Sequence, residues 1–284
     1  MSNNDQLTRF TFSDHAYRGE IVVLEESYQE ILNRYQYPEP IAKLLGEALA
    51  AIALISATVK FKGKVSLQLQ GGEFLSLLFV EINHKGQLRG LAHWEGEVEE
   101  MDFQQLTKGG ILAINLMPEK TQSYQGIVSL EKSDLASCLN QYFEQSEQLT
   151  TGFWLITSKQ RAAGLFLQEF PNASLEDKQL WPELELLSRT VTADELVDLT
   201  AEKLLSRLYA EYDIQLYKPT SIEFNCPCSE QKAFNSVMML AEDEIRQILS
   251  EEGQIDSNCE FCRAEYSFEA DVLLKPTNKG QNAH

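Results

Sequence analysis

The hydrophobic pattern changes period several times along the chain. From Glu39 to Val59 the residues are rich in Ala and Leu and follow Pro38, which predicts a helix. Within it the apolar run Ala48–Val59, bounded by Glu47 and Lys60, is too short to span a bilayer and reads as a buried core helix. Val65–Gln70 then alternates apolar and polar residues, as a half-buried strand does, and Gly71-Gly72 supplies a turn. Phe74–Ile82 and Gln87–Trp94 continue a meander across a turn at Asn83–Gly86. Gly110–Met117, Ser123–Leu130, Gly152–Thr157 and Ala163–Gln168 are further strands. Asp134–Gln148 is a helix among them, with Cys138 on its packed face as a small hydrophobe. Hairpin succession with interspersed helices predicts an α+β core, an antiparallel sheet packed with helices, over residues 1–175.

Beyond a turn-rich stretch at Pro171–Asp177 the pattern becomes helical. Thr192-Ala193-Asp194-Glu195 has the spacing of a capping box. Leu196, Leu199, Leu204, Leu205 and Leu208 form an apolar stripe interrupted by charges. This stripe is either the packed face of an ordinary surface helix or the conditionally covered face of a helical linker, assigned to residues 176–224. Ala241–Leu249 is a short amphipathic helix inside a last segment, 225–284.

Composition adds ordinary globularity: of 284 residues, 43% are hydrophobic and 24% charged. The charge is lopsided, 24 Lys and Arg against 43 Asp and Glu, a net −19. Nucleic acid and membrane surfaces are therefore poor partners. The polar stretch Met1–Phe10 lacks a signal-peptide pattern, so a cytoplasmic protein is expected, where structural disulfides are rare. P-loop, G-x-S-x-G, H-E-x-x-H and dinucleotide-glycine signatures do not occur, and acidic residues this plentiful do not single out an acid–base pair.

Chemistry concentrates in four of the five cysteines. Cys226-Pro227-Cys228 and Cys259-Glu260-Phe261-Cys262 are close pairs separated by thirty residues. Two such pairs can bring four sulfurs to one tetrahedral zinc. His15, His84 and His93 lie far upstream and His284 is the last residue, so the expected site is all-cysteine. Four unrelated thiols or two disulfides are the alternatives. Cys226–Ala270 carries ten acidic and three basic residues, net −7. That charge opposes a zinc-ribbon nucleic-acid module. Glu260 inside the Cys-x-x-Cys opposes the low-pKa thiol of a disulfide oxidoreductase. A module this small hardly folds on its own core, so bound metal would supply much of its folding free energy.

The two cysteine pairs resemble those of the 33-kDa heat-shock protein family of redox-regulated chaperones. So do Lys60-Phe61-Lys62-Gly63 with Leu67-Gln68-Leu69-Gln70-Gly71, Tyr124–Val128, Tyr142–Gln148, Thr192–Tyr212 and Phe224–Ser229. The resemblance implies an ATP-independent holdase, not an enzyme, with one zinc per chain on Cys226, Cys228, Cys259 and Cys262 in an inactive reduced form. It further implies that oxidation pairs the neighbouring cysteines, Cys226 with Cys228 and Cys259 with Cys262. Zinc then leaves, the module and linker unfold, and a dimeric active form binds unfolding proteins. Apolar linker surface, including Leu196, Leu199, Leu204, Leu205 and Leu208, is expected to grip those clients.

Overall fold

A computed structural model describes residues 5–274. The first four residues of the polar N-terminus and the tail 275–284, His284 included, lie outside them. The chain divides into two compact units, one ending at Asn225 and the other beginning at Cys226.

The first unit is built around one helix. The chain enters with β1 (Gln6–Phe12) and β2 (Tyr17–Leu24), then α1 (Glu26–Leu32) and α2 (Glu39–Thr58). β3 (Gly63–Gln70), β4 (Leu75–Asn83) and β5 (Gln87–Trp94) follow, then the single turn α3 (Phe103–Leu106), β6 (Ile111–Pro118) and β7 (Tyr124–Ser129). After α4 (Leu135–Tyr142), β8 (Thr151–Thr157) and β9 (Ala162–Glu169) close the β-rich part. The helices α5 (Leu175–Arg189), α6 (Ala193–Asp198) and α7 (Ala201–Leu208) lead to three short strands, β10 (Ile214–Leu216), β11 (Thr220–Ser221) and β12 (Glu223–Phe224).

Two six-stranded sheets result. One has the order β10-β1-β2-β9-β8 with β11 also on β1; the other runs β12-β5-β4-β3-β6-β7. All pairs in them are antiparallel except β12 with β5. α2 lies between the sheets, with thirteen of its twenty residues buried. Among the described residues it is the one helix long and apolar enough to cross a membrane by length and composition. Small residues allow the close approach. A Cβ on Gly164 of β9 would come within 2.7 Å of Leu54 Cδ1, and one on Gly90 of β5 within 3.1 Å of Leu49 Cδ2.

The first sheet is buried on both faces, and alternation assigns each residue a side. Val22, Leu24, Ala162 and Phe166 face the α2 core. Phe10, Phe12, Ile21, Val23, Leu165 and Leu167 face the opposite way and are covered by Leu184, Leu196, Val197, Leu204, Leu205 and Leu208 from α5–α7. The segment expected as a linker thus packs within the first unit. The leucine stripe is not one helix either. The backbone opens at Leu199, and Thr192 and Thr200 each accept a bond that starts a new helix, from Glu195 N–H and Lys203 N–H. Leu199 itself is only partly buried against that cluster.

The expected helix Asp134–Gln148 is regular only to Tyr142. It continues as a π turn over Phe143–Glu147, which buries Tyr142 and Phe143 side by side, with Cys138 beneath.

The second unit holds α8 (Glu230–Val237), α9 (Glu242–Glu252), the hairpin β13 (Gln254–Asn258) and β14 (Glu265–Glu269), and a last turn α10 (Ala270–Leu273). Its core comprises Val237, Ile245, Ile255, Phe268 and Leu273, with half-buried side chains around them. So small a core leaves the unit dependent on another source of stability.

Candidate metal centre and thiol switch

One cysteine pair lies in the loop between Phe224 and Glu230, the other on the turn of the β13–β14 hairpin. Cys228 precedes Ser229, whose hydroxyl caps α8 by accepting from the Lys232 N–H at 3.3 Å. Lys232 Nζ donates to the Pro227 carbonyl and so braces that loop. Cys259 follows the last residue of β13. Its N–H donates to the Ala264 carbonyl at 2.9 Å, and the Arg263 N–H donates to the Cys259 carbonyl at 2.7 Å. Arg263 takes φ +61°, the left-handed conformation that lets the chain reverse there. This places Cys259-x-x-Cys262 on a hairpin turn, not at the strand-to-helix junction of a catalytic thiol pair.

These two segments bring all four sulfurs within 4.8 Å of one another. Cys226 Sγ lies 3.6 Å from Cys259 Sγ, and Cys228 Sγ lies 3.3 Å from Cys262 Sγ. Tetrahedral zinc with Zn–S bonds of about 2.3 Å needs sulfurs about 3.8 Å apart, so the spacing suits a four-thiolate metal ion. All four cysteines are half-buried and none is in a disulfide.

The thiols are not equivalent. Tyr266, on β14, donates its hydroxyl to Cys228 Sγ at 3.2 Å. That bond is the main cause holding the Cys228 thiol down to about 7. Burial pushes Cys226 upward and Cys262 up to about 12. No pattern in the sequence singles out Tyr266. It lies 38 residues from Cys228, and only the pairing of Tyr266 with Ser257 turns it inward.

The five linker leucines are part of no open surface. Leu196, Leu204, Leu205 and Leu208 are buried and Leu199 is half-buried. The cover is also pinned by polar contacts. Arg161, between β8 and β9, donates to Glu25 and to Asp198, both at 2.9 Å, and to the Val197 carbonyl at 3.2 Å. Inside it, Ser188 Oγ donates to the Leu184 carbonyl at 2.6 Å and meets the Tyr209 hydroxyl at 2.6 Å.

Fold and cysteine cluster together describe a two-unit chain, an α+β core joined to a small module whose four clustered thiols could hold a metal ion. The comparisons narrow that class to one family. The Hsp33 protein family matches residues 5–269. The 33 kDa chaperonin of Shewanella loihica is 44% identical over 269 residues, 94% of each chain. The 33 kDa chaperonin of a further Shewanella strain is 40% identical over 283 residues, 99% of each. In fold, the crystal structure of the 33 kDa chaperonin of Thermotoga maritima superposes with a TM-score of 0.82, covering 95% of this chain and 97% of that one at 20% identity. The chain belongs to the Hsp33 family of chaperones.

Proposed function

We propose that the chain is an ATP-independent holdase gated by its four-cysteine centre. The observation that carries this reading is the convergence of Cys226, Cys228, Cys259 and Cys262 in a unit with almost no core of its own. Zinc, one per chain, is the metal this all-sulfur set suits, and when bound it would keep the four sulfurs as thiolates. The reduced unit is then folded, and the chain is inactive.

An oxidant such as peroxide, with one proton from solvent, converts one thiolate to a sulfenic acid and releases water. A neighbouring thiol displaces the hydroxyl, forming a disulfide and a second water. Each disulfide removes two ligands. We assign the pairs as Cys226 with Cys228 and Cys259 with Cys262. The sulfur contacts of 3.6 and 3.3 Å run across these pairs, but cross-links between the two segments would fasten the unit, whereas neighbour pairing frees one segment from the other. Mass mapping of the oxidised chain distinguishes the two patterns.

With the ligands gone, the five-residue core is left to hold a unit whose Cys226–Ala270 stretch carries net −7. Its unfolding loosens residues 176–224, and both sides of the buried layer become apolar surface. These are Leu196, Leu199, Leu204, Leu205 and Leu208 on the helices and Ile21, Val23, Leu165 and Leu167 on the sheet. That surface binds unfolding proteins, and the activated chain forms a homodimer. A net charge of −19 keeps the loaded complex soluble and disfavours nucleic acid and membrane as partners. Thiols kept reduced at rest suit the cytoplasm.

Light scattering of a heat-unfolded client, with reduced or peroxide-treated chain and no nucleotide, tests the reading. Suppression by the oxidised form alone is expected. Equal suppression by both forms would leave a chaperone whose cysteines are structural.

A further inference from the structure

Residues 214–225 form a strap along two sheet edges. Strands β10 and β11 lie antiparallel on β1, pairing Ile214 with Phe12, Leu216 with Phe10, Thr220 with Leu7 and Ser221 with Gln6. The chain then crosses to the other sheet, where β12 lies parallel on β5. Beyond the ladders themselves, four strap N–H groups donate to backbone carbonyls at these edges. Tyr217 donates to Arg9 at 3.0 Å, Ile222 to Asp5 at 2.8 Å, Glu223 to Gly86 at 3.0 Å and Asn225 to Leu88 at 3.0 Å.

A few side chains add to this seat: Ile214 and Phe224 are half-buried against the two cores, and Gln87 Nε2 donates to Glu223 Oε1 at 3.1 Å. Ile222 is the one strap side chain in the core, 5% exposed, whereas Leu216 and Tyr217 are 37% and 44% exposed. Phe224 is half-buried, with the Arg34 guanidinium 5.6 Å from its ring centre. Beside Ile222 a cleft of about 190 Å³ is lined by Leu7, Val59, Phe61, Val65 and Ile82. A site that grips main chain and asks for a few apolar side chains, here Ile214, Ile222 and Phe224, accepts many sequences in extended form.

Without the strap, β1 and β5 would each be the unpaired edge of a sheet. We infer that these two edges are a docking surface for an extended segment of an unfolding client, and that residues 214–225 are its built-in occupant in the resting chain. The short ladders suit a displaceable occupant, and the strap runs directly into Cys226. This inference rests on the proposed redox gating. It adds a second mode of capture, by strand addition, to the apolar face beneath α5–α7.

The test uses the full-length chain and a fluorescent peptide with the sequence of residues 214–225, read by anisotropy. The peptide is expected to bind the oxidised chain at least ten-fold more tightly than the reduced chain. N-methylation at the positions of Tyr217, Ile222 and Glu223 should weaken it ten-fold or more, as should Ile222→Ser. Reduced, carboxymethylated α-lactalbumin, a permanently unfolded chain, should displace it. Equal binding of the N-methylated peptide, or no binding to an oxidised chain that suppresses client aggregation, would overturn the inference and leave the redox reading standing. An oxidised chain that suppresses no aggregation would overturn both.

Discussion

The hydroxyl of Tyr266 donates to the sulfur of Cys228 across 3.2 Å, so the residue facing the first cysteine pair comes from a strand after the second. A hydrogen bond to a thiolate withdraws electron density and lowers its nucleophilicity toward peroxide. Tyr266→Phe keeps the ring and removes the bond. Because such a bond contributes about 1 kcal/mol, the variant should release zinc to a chromogenic chelator about five-fold faster under peroxide. An unchanged rate would make the contact incidental.

Cys262→Ser replaces one of the four proposed zinc ligands by a hydroxyl that binds zinc poorly. Structural zinc supplies about 10–16 kcal/mol of folding free energy in small modules, and the core of Val237, Ile245, Ile255, Phe268 and Leu273 cannot replace it. The variant should purify with well under one zinc per chain and give rapid amide exchange over residues 226–274 and faster exchange over 176–224, with residues 5–175 still protected. Stoichiometric zinc in a folded unit would disprove the four-thiolate centre.

Much of this was legible in the sequence, for reasons particular to each element. α2 showed itself by its Ala- and Leu-rich run, and β3–β9 by alternation and turn residues. β2 did not, because Tyr17–Leu24 is packed on both faces and its one acidic residue, Glu20, interrupts the apolar run. The short strands β10–β12 have no periodicity to read, since main-chain bonds to β1 and β5 define them. At the site, cysteine spacing pointed to all four sulfurs, whereas Tyr266 depended on hairpin register. The leucine stripe marked a packed face but not its partner, because the covering sheet face includes β1 and β2, which had no visible pattern.

Ser188 Oγ spends its proton on the Leu184 carbonyl, so the Tyr209 hydroxyl is the donor in the 2.6 Å contact between them. This buried bond ties α5 to the end of α7. Tyr209→Phe should lower the stability of the helical cover by about 1 kcal/mol. Amide exchange in α5–α7 should accelerate about five-fold, and the oxidant dose for half-maximal holding should fall. Unaltered exchange would show that the ring alone fastens the two helices.

Leu204 is buried against the far face of the first sheet. Leu204→Ala leaves a cavity there, costing about 2–5 kcal/mol. With the cover loosened, the reduced variant should already bind a hydrophobic dye and suppress part of a client's aggregation. A destabilised but fully inactive reduced variant would separate cover stability from gating.

Glu20 is 2% exposed on β2, between Arg9 and Arg18, and its Oε2 has no hydrogen-bond partner. Burial raises its carboxyl from 4.5 to about 7, against the pull of the two guanidinium groups. Glu47 of α2 is likewise raised to about 7, mainly by burial, with Lys43 lowering it and Asp134 raising it. The folded chain therefore binds these protons more tightly than the unfolded chain does. The stability that follows is complete below pH 4.5 and is lost as pH rises through about 7, by about 3 kcal/mol for each group. Asp177, held down to about 2 by Ser174, acts in the opposite direction and only at lower pH. Urea midpoints of the reduced chain should thus decline between pH 5 and pH 8. Glu20→Gln should remove about half of that decline and raise the midpoint at pH 8 more than at pH 5. A variant with the same slope as the parent chain would show that Glu20 is ionised in the fold and neutralised by Arg9 and Arg18.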